Sequence, residues 1–264
     1  LGQLVLGVGS VYFGFSIESI EGPFFQKMDL GFWAIPLSVL WIVGIINAIN
    51  LIDGLDGLAS GITLVILITL SWLAHEMGKI ELMLLMVVLI GSVVSFLSFN
   101  RPPASIFMGD SGSYFLGYLV AILSIWVCEK SSGTVSLYPL LILAVPIIDT
   151  TFSIFRRFLK GIPFYSADKD HLHHRLLSKG LTPTQAVFIL TGVSLIYGSL
   201  DLTAHYFPDI KSYAYLSGIG LIWILLYFLE YDVIRSPVSS IRGQSDLRHR
   251  RYLMIALAEQ MDHF

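Results

Sequence analysis

Long apolar stretches recur along the chain at about 1–17, 32–49, 58–75, 81–99, 111–128, 137–155, 184–200 and 213–230, and the charges fall in short clusters between them. Each approaches the roughly 17–25 residues that a helix needs to cross a hydrocarbon core of about 30 Å. Lipid offers the backbone no hydrogen-bond partner, and no period-two alternation suggests a barrel, so the stretches are expected to be helices. The expected fold is all-α: a polytopic membrane bundle of about eight spanning helices, with residues 1–264 forming one transmembrane domain. Charged residues are only 13% of the chain and the mean hydropathy is +0.75, which leaves too little polar surface for a soluble protein of this length.

The charges that remain set orientation. Segments 50–57, 100–110, 156–183 and 231–264 hold twelve of the 16 Lys and Arg residues, whereas the alternate segments hold Lys27, Lys79, Lys130 and Lys211. That asymmetry predicts that the first set is cytoplasmic. The net charge of −3 argues against a nucleic-acid partner, whose binding surface would be basic. One cysteine, Cys128, can form neither an intramolecular disulfide nor a metal site.

The unusual polar motifs all fall on the side predicted to be cytoplasmic. The first, Asn47-Ala-Ile-Asn50-Leu-Ile-Asp53-Gly54-Leu55-Asp56-Gly57, ends the second helix. Ordinary helix caps would explain part of it. Four such groups beside apolar helices are costly unless used, and Gly54 and Gly57 can loosen the chain so that both carboxylates face one cavity. The second motif runs from Asn100 through Phe107 to Asp110. Asp110 reads either as the N-cap of the helix beginning at Ser111 or as a hard-oxygen ligand for Mg²⁺.

The third motif is Asp168-Lys169-Asp170-His171-Leu172-His173-His174-Arg175. Zinc competes for the histidines, but no thiolate supports it. Cationic side chains with a planar Arg fork suit phosphate better. Asp149, inside an apolar stretch, is a functional candidate by position, or an ion-pair partner of Arg156 seven residues on.

Together these segments, Asn47–Leu58, Asn100–Ser113, Pro146–Arg157 and Asp168–Leu176, resemble the polyprenyl-phosphate N-acetylhexosamine-1-phosphate transferases. The His-Leu-His-His-Arg form is similar to the branch that uses UDP-N-acetylglucosamine in teichoic acid, O-antigen or related glycan synthesis. The peptidoglycan branch, with three consecutive histidines, and a lipid or solute transporter are the alternatives. A transporter would place its polar groups near the bilayer midplane.

The resemblance implies Asp53, Asp56, Asp149 and His171 as catalytic residues. It implies Asn47, Asn50, Gly54, Leu55, Asn100, Phe107, His173, His174 and Arg175 as nucleotide-sugar ligands, and Asp110 as the ligand of Mg²⁺, with Mn²⁺ as a substitute. It further implies a UDP-sugar and polyprenyl phosphate as partners, a homodimer, and a bacterial inner membrane with the active site facing the cytoplasm. The family also carries a pair of adjacent aspartates ahead of the helix matching residues 1–17. No such pair is present, and the first residue is Leu, so an N-terminal portion with further helices is expected upstream.

Overall fold

The computed structural model describes residues 1–131, 133–159, 161 and 171–229. The chain divides into two compact units: 1–153 with 167–230, and 154–166 with 231–264. Arg156, Arg157 and the rest of 154–159 fall in the second, whose other residues lie almost entirely outside the described set, as do Asp168, Lys169 and Asp170.

Within the first unit, six helices are long and apolar enough to cross a membrane. They contain α2 (Ala34–Ile52), α3 (Leu58–Glu76), α4 (Ile80–Asn100), α5 (Gly109–Cys128), α9 (Pro183–Tyr206) and α10 (Lys211–Phe228). The two other expected spans come out differently. The first is helical only as α1 (Gly2–Tyr12), 11 residues packed on α2. The sixth is split into α6 (Tyr138–Ile142) and α7 (Ala144–Leu159). The 16 residues of α7 rise about 24 Å, short of a full crossing. A short helix α8 (Leu172–Ser178) precedes α9.

Helix α3 is the hub, packed against α4, α5 and α9, while α4 turns most of its surface outward. Small residues set the crossings, as expected where lipid and side chain are equally apolar and only close packing drives association. A Cβ on Gly117 of α5 would sit 2.8 Å from the Cα of Ile46 on α2. Cβ atoms on Gly61 and Gly198 would lie 2.9 and 2.6 Å from Thr191 and Thr69 across the α3–α9 crossing. Helix α9 starts where the sequence says it should. Thr182 and Gln185 form a reciprocal capping box, and Pro183 fills the first helical position, where its missing N–H does no harm.

At one end of these helices lie the α2–α3 turn (53–57), the α4–α5 loop (101–108) and α8. The other end carries four short strands, β1 (Ser19–Glu21), β2 (Met28–Asp29), β3 (Glu129–Ser131) and β4 (Thr134–Ser136), in the order β2-β1-β4-β3. β1 pairs parallel to β4, and the outer pairs are antiparallel.

Candidate active site

Helix α2 unwinds at Asp53, and Gly57, with φ +78°, turns the chain into α3. The left-handed conformation there suits glycine and few other residues. Asn100, the last residue of α4, locks this turn to the next loop. Its Oδ1 accepts from Gly57 N (3.0 Å) and Ser60 Oγ (2.8 Å), and its Nδ2 donates to the Ile106 carbonyl (2.9 Å). From the other side the Ala104 N–H donates to Asp56 Oδ2 (2.9 Å). Two loops separated by the whole of α3 and α4 are thus fastened into one rim.

Between them lies a cavity of about 370 Å³, lined by Asp53, Gly54, Leu55, Asp56, Asn100, Phe107, Met108, Gly109 and Asp110. Phe107 is 73% exposed, its ring standing at the rim. Asp110 is not the N-cap: α5 begins at Gly109, and Asp110 sits in the first turn with no capping bond. Its Oδ1 instead accepts from Asn50 Nδ2 (3.0 Å), which also donates to Ser113 Oγ (2.9 Å). Burial, and then the Asp110 and Asp56 carboxylates, push Asp53 up to about 6.

No ion pair reaches these three carboxylates among the described residues, and no three of His, Cys, Asp and Glu close on a single point. The donor set still fits Mg²⁺. That ion takes one or two carboxylate oxygens and leaves its other positions to water and substrate phosphate.

The His segment approaches from behind Gly54. The Nδ1 of His171 lies 2.9 Å from Asp149 Oδ2 and 3.3 Å from Ser153 Oγ, and the Leu172 N–H donates to Asp149 Oδ1 (2.7 Å). The His171 and His173 rings stack in parallel, with centroids 5.9 Å apart. His173 is buried against Gly54, and a Cβ there would overlap its Nε2. Burial, and then His174, hold the His173 imidazole down at about 4, against a weaker opposite pull from Asp149. It is therefore neutral at pH 7, and neither of its nitrogens has a hydrogen-bond partner.

Of the sequence candidates, Asp53, Gly54, Leu55, Asp56, Asn100, Phe107 and Asp110 line one cavity, and Asn50 supports it from below. Asn100 borders the cavity but commits its amide to the loops. Asn47 faces elsewhere, donating to Gln3 Oε1 (2.9 Å) on α1 and to the Val43 carbonyl. Asp149, His171, His173, His174 and Arg175 are not among the lining residues.

Sequence reading missed Ser113 and Ser60, ordinary hydroxyls whose partners are 40 or more residues away. It also missed Asp201 on α9, wholly buried with both carboxylate oxygens unpartnered. That residue looked like a helix end, but α9 continues to Tyr206.

Residues 1–128 match the model of glycosyl transferase family 4. A probable undecaprenyl-phosphate N-acetylglucosaminyl 1-phosphate transferase of Bacillus subtilis (strain 168) is 41% identical over 230 residues, 86% of this chain and 63% of the relative. The undecaprenyl-phosphate alpha-N-acetylglucosaminyl 1-phosphate transferase of Salmonella typhi is 30% identical over 47% of this chain and 33% of its own length. A decaprenyl-phosphate N-acetylglucosaminephosphotransferase of Mycobacterium leprae is 37% identical over 39% of this chain and 29% of its own. The chain spans less than two thirds of each.

Proposed function

We propose, because residues 1–128 match glycosyl transferase family 4, that the chain transfers GlcNAc 1-phosphate from UDP-GlcNAc to polyprenyl phosphate and releases UMP. The observation that carries this reading is the cavity itself: Asp53, Asp56 and Asp110 at one end of a membrane helix bundle, with no ion pair to any of them among the described residues.

Both reactants are anions, so alignment and charge neutralisation must supply most of the rate. Asp110, with Asp53 beside it, would hold Mg²⁺ or Mn²⁺, which supplies charge neutralisation at the phosphates. Asn50 and Ser113 hold Asp110 in place, and the Ala104 N–H holds Asp56. Phe107 offers an exposed ring on which a uracil can stack. The neutral His173 offers hydrogen bonds rather than charge, leaving Arg175 as the cationic phosphate ligand of its segment. A lipid-anchored acceptor and a soluble donor can meet at this end of the bundle without a path through the bilayer.

The test is UMP release from UDP-GlcNAc in detergent with Mg²⁺, with and without undecaprenyl phosphate. Release that needs the lipid phosphate is expected, and release indifferent to it would sink the reading. The site is proposed to face the cytoplasm of a bacterial inner membrane. Cysteines placed at Ser105 and Lys27 in a Cys128→Ser background probe this in intact cells. An impermeant thiol reagent should reach the second and not the first, and the reverse pattern would invert the orientation.

A further inference from the structure

Asp149 is 1% exposed, lies on an apolar helix and does not line the cavity, yet each of its carboxylate oxygens has a definite task. Oδ1 accepts the Leu172 N–H, one of the N-terminal amides of α8 that no intrahelical carbonyl can satisfy. Oδ2 meets His171 Nδ1 at 2.9 Å. An acceptor-only carboxylate at that nitrogen keeps the imidazole proton on Nδ1 and leaves Nε2 with its lone pair. One residue on α7 therefore settles both the seat of α8 and the tautomer of its leading histidine. Two residues further along, His173 presses on Gly54, which is cavity wall.

We infer that Asp149 is a positioning residue that fixes His171 as the Nδ1–H tautomer, making Nε2 the basic nitrogen of the site. The inference rests on the transfer reaction proposed above and assigns its proton step. Polyprenyl phosphate in its monoanionic form carries one acidic proton. His171 Nε2 takes it, and the freed phosphate oxygen forms the new P–O bond to the sugar-bearing phosphorus. The bond from that phosphorus to the bridging oxygen breaks, and UMP leaves with the electron pair. The proton then passes from the imidazolium to the departing phosphate. Asp149 stabilises the imidazolium without touching substrate.

Asp149→Asn separates positioning from bracing. The amide oxygen can still accept the Leu172 N–H, so α8 keeps its seat. The amide nitrogen, however, donates towards His171 Nδ1 and drives the proton to Nε2. The expected result is a fall in kcat of about 10²-fold or more, with KM for UDP-GlcNAc and the melting temperature unchanged. ¹⁵N spectra of the imidazole should show Nδ1–H in the parent and Nε2–H in the variant. The inference is overturned if Asp149→Asn keeps parental kcat while Asp149→Ala loses stability and activity together, which would make Asp149 a brace only. It is equally overturned if His171 carries its proton on Nε2 in the parent. The ¹⁵N measurement needs no turnover. A parent that releases no UMP would therefore fail the transferase reading while the tautomer assignment is still decided.

Discussion

The two ends of helices α2 to α5 face the same difficulty, since each must satisfy loop backbone beside an apolar bundle, and they resolve it in opposite ways. At the strand end, backbone pairs with backbone across β1–β4, and Lys79 Nζ donates to the carbonyls of Trp126 (2.7 Å), Val127 (3.0 Å) and Glu129 (2.6 Å), closing the end of α5. Glu129 Oε1 accepts from Gly133 N (2.7 Å), and Lys27 pairs with Asp29 at 3.3 Å. Lys27, Asp29, Lys79 and Glu129 there all meet partners. At the turn end, side chains hold the loops, and Asp53, Asp56 and Asp110 converge on a cavity without an ion-pair partner among the described residues. A folded chain tolerates such crowding where something outside it completes the charge. The end that leaves its electrostatics unfinished is the candidate site, and the finished end is scaffold.

The contrast breaks most easily at Asp110. Asp110→Asn keeps shape and hydrogen bonding but removes the negative charge, so turnover should fall on the order of 10²–10³-fold. Without added Mg²⁺ its melting temperature should match that of the parent. The parent alone should gain stability when Mg²⁺ is added. Full turnover at limiting Mg²⁺ would move the metal to Asp53 or Asp56.

Gly54→Ala comes next, because the added methyl would overlap the buried His173 ring. It should destabilise by about 1–3 kcal/mol, the usual range for overpacking. It should also lower turnover, with much of the stability returning in Gly54→Ala/His173→Ala. An additive double-mutant cycle in thermal melts would mean that the two residues do not touch.

The third prediction concerns protons. Asp53 is raised from 3.8 to about 6 in the folded protein, so the folded state holds the proton more tightly than the unfolded chain does. In metal-free protein the stability that this protonation contributes is present below pH 4 and is lost as pH rises towards 6. Cation binding runs the other way, since it requires the carboxylate. The apparent Mg²⁺ affinity from thermal shifts should rise by up to about tenfold between pH 5 and 6, level off above that, and lose this dependence in Asp53→Asn.

The smallest effect belongs to the other end. Lys79→Met strands three carbonyls and should lower stability by about 1–2 kcal/mol, leaving turnover per folded molecule unchanged. A loss of turnover beyond the loss of folded protein would show that the strand end is more than scaffold.

How much of this was legible in sequence differs from residue to residue. Asp53, Asp56 and Asp110 stood out because acidic groups bordering apolar runs have few structural uses, Phe107 entered only through the family resemblance, and the cavity collects all four. Asn47 stood out by the same signal, but its amide serves the α1–α2 contact. The cap reading of Asp110 falls because α5 starts at Gly109, two residues before the expected start at Ser111.

The sequence by itself determined the solvent, the helices and the clustering of polar residues between them. All three follow from hydropathy and spacing over fewer than about 25 residues. Only the tertiary structure decided that Asn100 fastens two loops, that Gly54 is small because His173 lies on it, and that Asp149 holds His171. Apart from the Asn100–Ile106 bond, these contacts join residues between 22 and 119 positions apart, and no local periodicity records which distant side chain will arrive. The same limit hid the break at Leu143 that divides the sixth apolar stretch into α6 and α7.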